Sequence, residues 1–138
     1  MTPPHAYRPG QTPRHPEGAF DALRATAEDG LSSKAYHLGL DWLEQGYFWE
    51  AHELLEPVWM AAPPNSAERL MLRGLIQLAN ARLKAAMGRK AASDRLMLIA
   101  ARDLTEAERR GAPIPPLART DAEAFMQNNA DKEREKSH

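Results

Sequence analysis

The sequence of 138 residues contains no cysteine, which excludes disulfide bonds, thiolate metal sites and cysteine nucleophiles. It has no excess of one charge either. Its 18 basic and 19 acidic residues give a net charge of -1, so the whole chain lacks the positive excess typical of nucleic-acid-binding proteins. No apolar run approaches the roughly 18 residues of a membrane span, and residues 1–30 contain no apolar signal core. We therefore expect a cytoplasmic protein with no membrane or nucleic-acid partner.

The sequence also lacks the alternation of apolar and polar residues that is typical of strands, which leaves helices as the expected structure. Residues 1–18 include five prolines and almost no aliphatic side chains, so we expect them to form an extended, disordered arm. Residues 128–138 are nearly all polar, and we expect this tail to fray. Residues 19–127 have the length and apolar content of a single helical domain.

Apolar residues at helical spacing, bounded by capping residues, glycines and prolines, predict a bundle of about five helices. The predicted helices cover residues 20–30, 33–45, 47–60, 66–87 and 91–110, with a further short one over 117–126. Ser32 or Ser33 is the expected N-cap of the second helix and Gly46 its terminator, while Asn65 and Glu68 resemble a capping box. Short connections favour antiparallel neighbours, so the predicted fold class is an all-α, single-domain bundle with disordered termini.

The predicted fourth helix is apolar over most of its circumference, which indicates a central position in the bundle. A single narrow polar stripe interrupts the apolar surface, at spacings of i, i+4, i+7 and i+11. The stripe consists of Arg73, Gln77, Asn80 and Lys84. On a helix that is otherwise buried, these side chains need partners.

The predicted third helix carries His52 and Glu56 on the aromatic face that also includes Trp59. We expect Glu50, on another side, to be solvated. Pro57 removes one helical hydrogen bond and disfavours helical geometry at the preceding residue, so we expect the helix to kink or to end early there.

Asp103 falls on the apolar face of the predicted fifth helix, where a carboxylate requires a partner. We therefore predict a polar cluster inside the bundle, in which His52, Glu56 and Asp103 face the stripe of the fourth helix. The catalytic candidates are His52 as a general base, Glu56 and Arg73, and the ligand-binding candidates are Gln77, Asn80, Lys84 and Asp103. The alternative is a core network that only fixes the register of the helices.

A metal at this cluster is not expected. His52 and Glu56 have workable ligand spacing, but a catalytic zinc needs three protein ligands and only Asp103 is available as the third. Arg73 and Lys84 would also repel a cation. We predict no metal and no other cofactor.

The segment GYFWEAHELLE at residues 46–56, followed by Trp59 and by RGLIQLA at residues 73–79, resembles the domain-of-unknown-function 309 family. The resemblance covers roughly residues 36–104 and implies a compact all-α fold in a bacterial or archaeal cytosolic protein. It also implies the family's general label, predicted metal-dependent hydrolase. The family's motif positions correspond to His52, Glu53, Glu56, Gly74 and Gln77, which adds Glu53 to the ligand-binding candidates. Lys84 stands where family members often have a histidine, which removes one candidate metal ligand.

Two functional hypotheses remain open at the level of sequence. The first is a site for a small anionic or polar molecule, with hydrolysis as one option, so enzymatic activity is left open. The second is a non-enzymatic helical module for interaction or self-association, in which the polar network is structural and the chain forms a homo-oligomer. Gly46, Tyr47 and Ala51 resemble the hinge of a tetratricopeptide hairpin, but the 34-residue period of a repeat array is absent.

Overall fold

The computed structural model describes residues 1–136, and these residues form only helices, turns and irregular segments, with no strand. The helices are α1 (Asp21–Arg24), a 3₁₀ helix (Ala27–Ser32), α2 (Lys34–Gln45), α3 (Phe48–Ala61), α4 (Ala67–Ala86), α5 (Lys90–Arg109) and α6 (Pro116–Lys136). The all-helical prediction is therefore confirmed. No helix of the described residues has both the length and the apolar character needed to cross a membrane.

The ends of α2 follow from local chemistry. The Ser33 hydroxyl accepts a hydrogen bond from the backbone N–H of Tyr36 at 3.0 Å, which satisfies one of the free donors of the first turn. Gly46 ends the helix with φ 95°, a left-handed conformation that glycine adopts without steric strain. Both predicted boundaries of this helix are confirmed.

The start of α4 differs from the prediction by one residue. Ser66, not Asn65, is the N-cap, and its hydroxyl accepts from the backbone N–H of Arg69 at 3.0 Å. Asn65 has φ 61° and cannot cap, because an N-cap residue needs the extended conformation that Ser66 has with ψ 156°.

The core lies between α2, α3, α4 and α5, where Trp42, Leu54, Leu75 and Leu104 are almost completely buried. At Gly74, α4 and α5 approach so closely that an added Cβ would lie 2.9 Å from Cγ of Leu104. This glycine therefore sets the distance between the two longest helices of the core.

The N-terminal segment, residues 1–18, packs against the body, although the sequence predicted a disordered arm. Tyr7 is 7% exposed, and its ring meets Trp49 edge-on with 5.0 Å between centroids. The indole N–H of Trp42 donates to the carbonyl of Met1 at 3.0 Å. The segment has few aliphatic side chains, and aromatic rings and hydrogen bonds attach it instead.

The last helix is longer than predicted, since α6 runs from Pro116 to Lys136 instead of ending near Met126. Its first turns are anchored: Ala118 and Ala122 are buried, and Asp121 forms an ion pair with Arg82 of α4. The polar residues that were expected to fray continue this helix with mostly exposed side chains. Residues 137–138 of the predicted tail lie outside the described residues.

Candidate functional site

The predicted pair on α3 is present. Nε2 of His52 lies 3.0 Å from Oε2 of Glu56, and both side chains are partly exposed. Arg24 of α1 lies beside this pair. Its guanidinium is 3.2 Å from Oε2 of Glu53 and 4.0 Å from Oε1 of Glu56. Two of the predicted acidic residues therefore share a cation that the sequence analysis did not identify.

A second predicted pair joins α4 to α5. Nε and one terminal nitrogen of Arg73 donate to the two carboxylate oxygens of Asp103, each at 2.9 Å. This two-point hydrogen bond raises the pKa of Arg73 above its usual value. Asp103 is 8% exposed, so the guanidinium supplies the partner that a buried carboxylate requires.

The single cluster predicted from the sequence is not formed, because the two pairs share no hydrogen bond or ion pair within residues 1–136. Arg73 reaches towards α5 and not towards α3, and more than half of its side chain is exposed. The other stripe residues, Gln77, Asn80 and Lys84, are half-buried, and their side chains make no hydrogen bond or ion pair with the described residues. The stripe was expected to face a polar partner on α3, but it borders solvent.

Glu50 is the residue that the sequence analysis placed wrongly. It was expected to be solvated, yet its side chain is 0% exposed. One carboxylate oxygen, Oε2, accepts from the backbone N–H of Tyr7 at 2.7 Å and lies 2.5 Å from Nε2 of His15. Both partners come from the N-terminal segment, which covers this face of α3.

The periodicity of α3 contains the signal that was missed. Leu54 and Val58 follow Glu50 at i+4 and i+8, and both are completely buried. These spacings place Glu50 on the buried face of the helix. The expectation that Glu50 is solvated came from its position on the helix side opposite His52 and Glu56.

The His15–Glu50 pair is enclosed by rings. His15 stacks on His5 at 4.5 Å between centroids and meets Phe20 edge-on at 5.0 Å, while Trp49 lies at 5.9 Å. Nδ1 of His15 and Oε1 of Glu50 are buried without a hydrogen-bond partner. Buried polar atoms are nearly always hydrogen-bonded, so this pair has bonding capacity that the fold does not use.

A cleft of about 530 Å³ opens beside this pair, between the N-terminal segment, α1 and the start of α3. We call it the N-terminal cleft. Its aromatic lining consists of Tyr7, Phe20 and Trp49, and His15 lies among them. A concave surface that combines rings with a few fixed polar groups is typical of small-molecule sites.

The charged lining of the cleft contains both signs. It consists of Arg14, Arg24, Glu17, Asp21 and Glu53. Arg24 is held by Glu53, through both the carboxylate and the backbone carbonyl. Of the residues predicted as a site, Glu53 is the one that lines the cleft.

The predicted residues do not fit a metal. Glu56 is paired with His52, Glu53 with Arg24, and Asp103 with Arg73, so a cation would have to displace a hydrogen-bond partner from each. Among residues 1–136, no group of three or more histidine, aspartate and glutamate side chains is arranged to hold an ion. These side chains do not form a metal centre.

Comparison with known proteins gives one match. No curated protein and no solved structure matches the chain. The family model described as "Domain of unknown function (DUF309)" matches residues 36–96, which cover nearly all of α2, the whole of α3 and α4, and the start of α5. Trp49, Glu50 and Glu53 lie inside the matched segment, whereas His15 and Arg24 lie before it. The resemblance predicted from the sequence is thus confirmed over residues 36–96, where this chain matches the domain-of-unknown-function 309 family model.

Proposed function

We propose that the N-terminal cleft binds a small polar molecule that contains a flat ring, with the His15–Glu50 pair at its polar end. The observation that carries this proposal is the completely buried Glu50 carboxylate, which is bonded to an imidazole beside an open cleft. Burying a carboxylate is unfavourable unless it is paired, and an apolar residue at this position would serve packing better. A functional role explains why a carboxylate occupies it.

The lining of the cleft supports a ligand with both a ring and polar groups. Tyr7, Phe20 and Trp49 offer ring faces and edges, which stabilise aromatic ligands through stacked or edge-on contacts. Arg24 offers donors, and Glu53 offers acceptors. The net charge of the lining is close to zero, which favours a polar or zwitterionic molecule over a polyanion.

The same pair supplies groups suited to hydrolysis. When Nε2–H of His15 donates its hydrogen bond to Oε2 of Glu50, Nδ1 is left as the basic nitrogen of the ring. A neutral imidazole oriented in this way can take a proton from an attacking water molecule and return it to the leaving group. Nδ1 is buried, so this role requires the ring to turn or His5 to move away.

This proposal changes the general base that the sequence suggested, from His52 to His15, and keeps Glu53 as a ligand-binding residue. His52 is connected to the cleft indirectly, because Arg24 approaches both Glu53 and Glu56. A ligand that displaces Arg24 would change the surroundings of the His52–Glu56 pair. His52 therefore becomes a positioning residue in this proposal.

The binding proposal is tested by NMR titration with adenine, adenosine and uridine, which carry flat rings and several polar groups. Each of the three tryptophans has one indole N–H signal, and Trp49→Phe identifies the signal of the cleft. We expect a saturable shift of the Trp49 signal with at least one probe. His15→Ala and Glu50→Gln should abolish it, and His37→Ala, at an exposed position, should preserve it. An unmoved Trp49 signal with all three probes contradicts the proposal, as does equal binding by Glu50→Gln.

The hydrolytic role has its own test. Release of p-nitrophenol from p-nitrophenyl acetate measures ester hydrolysis, and the rates of His15→Ala, His52→Ala and His37→Ala are compared with that of the unmodified protein. We expect His15→Ala to lower the rate at least tenfold, and His37→Ala to leave it unchanged. Equal losses in all three variants would reflect nonspecific imidazole catalysis and contradict the role of His15.

A further inference from the structure

A second cavity lies where the loop after α3 meets the start of α4 and the end of α5. It has a volume of about 320 Å³ and shares no lining residue with the N-terminal cleft. We call it the arginine pocket, and the side chains that matter here are those of Trp59, Asn65, Arg69, Arg73 and Arg110. Two elements that are distant in sequence, α4 with Arg69 and Arg73 and the end of α5 with Arg110, thus bring three guanidinium groups to one cavity.

The charge of the arginine pocket is one-sided. No acidic residue lines it, in contrast to the mixed charges of the N-terminal cleft. Of its three positive charges, the one on Arg73 is compensated by Asp103. Arg69 and Arg110 form no ion pair within residues 1–136, although Arg110 interacts electrostatically with Glu106, which does not line the pocket. A net charge of about two at a concave surface favours a dianion.

The guanidinium groups of Arg69 and Arg110 are both held in place by contacts that leave donors free. The guanidinium carbon of Arg69 lies 4.7 Å from the ring centroid of Trp59, and its Nη1 donates to the carbonyl of Ala62 at 2.9 Å. Nη2 of Arg110 donates to the carbonyl of Asn65 at 2.6 Å. A guanidinium has five N–H donors, so each of these arginines keeps several for a ligand. Fixed guanidinium groups lose less entropy on binding than mobile ones.

The left-handed conformation of Asn65 belongs to the same arrangement. With φ 61° it is the one described non-glycine residue at positive φ, and its carbonyl is the acceptor that holds Arg110. Strained backbone persists where surrounding contacts require it and is common at binding sites. At Asn65, this conformation presents the carbonyl that accepts from Arg110, which links the end of α5 to the start of α4.

We infer that the arginine pocket binds the phosphate group of a small molecule. A phosphate monoester carries close to two negative charges at neutral pH, which suits the two guanidinium groups that form no ion pair, Arg69 and Arg110. Its oxygens accept two parallel hydrogen bonds from one guanidinium, a geometry that lysine cannot offer. The pocket is larger than one phosphate group, so it also holds part of the organic portion, next to Trp59. This inference does not depend on a ligand in the N-terminal cleft.

The test is isothermal titration calorimetry with inorganic phosphate and with pyrophosphate, at constant ionic strength maintained with sodium chloride. We compare Arg69→Gln/Arg110→Gln with Arg89→Gln/Arg102→Gln. The second pair removes the same net charge from exposed positions outside the pocket. We expect the unmodified protein and the control to bind pyrophosphate equally, and the pocket variant to bind at least tenfold more weakly. Absence of binding to the unmodified protein, or equal weakening in both variants, overturns the inference.

Three further measurements keep the test decisive. Because Arg69 also supports the loop at Ala62, Arg110→Gln is measured alone, and its pyrophosphate affinity should still fall severalfold. Circular dichroism must show the same helical content for every variant that enters the comparison. A ten-nucleotide single-stranded DNA serves as a competitor. If it binds through the same arginines more tightly than pyrophosphate, the partner is nucleic acid and the small-molecule inference is overturned.

Discussion

Arg24 takes the place of the hydrogen-bond donor that Pro57 removes from α3. In a regular helix, the N–H of residue 57 would donate to the carbonyl of Glu53, but proline has no N–H. Nη1 of Arg24 donates to this carbonyl at 2.6 Å, and α3 continues through Pro57 to Ala61. The same guanidinium contacts the carboxylate of Glu53, so one side chain stabilises the helix and shapes the N-terminal cleft.

Replacement of Arg24 by alanine should therefore destabilise the protein. The carbonyl of Glu53 would lose its partner in a partly buried environment, and we expect the free energy of unfolding to fall by about 1 to 2 kcal/mol. The stability of Arg24→Lys should lie between those of the unmodified protein and Arg24→Ala. One ammonium group cannot bond the carbonyl and the carboxylate with the same geometry. Urea denaturation followed by circular dichroism measures both differences.

The matched background is Pro57→Ala, which restores an N–H at the position where the helix lacks one. In that background the carbonyl has a helical donor again, so Arg24→Ala should lose clearly less stability than in the unmodified protein. The difference between the two backgrounds is the coupling between the residues. If Arg24→Ala has the same effect in both, the carbonyl bond is not the reason for its contribution.

Local chemistry allowed part of this fold to be predicted from the sequence. The start of α2 at Ser33 and its end at Gly46 depend on capping groups within a few residues of the helix ends, and a sequence displays these directly. The start of α4 was predicted one residue too early. Asn65 and Ser66 are both good N-caps, and only the backbone conformation separates them.

The candidate site could not be predicted in the same way, because its partners are far apart in the chain. Glu50 and His15 are 35 residues apart, and nothing near either residue indicates the other. The polar cluster was inferred from residues that share helix faces, but Arg73 bonds to α5 while His52 and Glu56 pair on α3. Periodicity shows which face a side chain is on; it does not show which neighbour that face meets.

The close approach of α4 and α5 predicts a large effect of Gly74→Ala. The new Cβ would lie 2.9 Å from Cγ of Leu104, and the backbone of neither helix can shift without disturbing the core. Although alanine favours helices by up to about 1 kcal/mol, we expect a net loss of about 1 to 3 kcal/mol. Thermal and urea unfolding measure it.

Leu104→Ala tests the cause of this loss. Alone, it should destabilise by about 2 to 5 kcal/mol, because it leaves a cavity in a buried position. Combined with Gly74→Ala, it removes the atoms that the new methyl group meets, so the double variant should be more stable than the sum of the single effects indicates. Strict additivity would mean that contact with Leu104 is not what excludes a side chain at Gly74.

Tyr36 should make stability depend on pH in the alkaline range. Burial, together with the nearby carboxylate of Glu68, raises the pKa of Tyr36 to about 12 from an ordinary value of 10.0. Between these values the unfolded chain releases the phenol proton and the folded protein keeps it, so the free energy of unfolding decreases as pH rises. The phenol of Tyr36 should hardly change the free energy of unfolding at pH 9, and should lower it by about 1 kcal/mol at pH 11.

Tyr36→Phe isolates this effect, since the other groups that titrate in this range are common to both proteins. The stability difference between the unmodified protein and the variant is measured by urea denaturation at pH 9 and at pH 11. We expect it to shift by about 1 kcal/mol in favour of the variant at the higher pH. A difference that is independent of pH would show that the phenol of Tyr36 ionises in the folded protein as readily as in the unfolded chain.

The separation of the predicted polar cluster into two pairs is tested by a double-mutant cycle with His52→Ala and Arg73→Ala. The two side chains share no hydrogen-bond partner, so their effects on the free energy of unfolding should add to within about 0.5 kcal/mol.

Arg73→Ala with Asp103→Ala is the positive control, because removal of either partner already breaks the same bidentate bond. Its cycle should therefore show strong non-additivity, with the double variant losing less than the two single losses combined. Coupling of comparable size between His52 and Arg73 would mean that α3 and α4 do face each other through these groups. The polar residues would then form one network. The cluster predicted from the sequence would then be as good a candidate site as the N-terminal cleft.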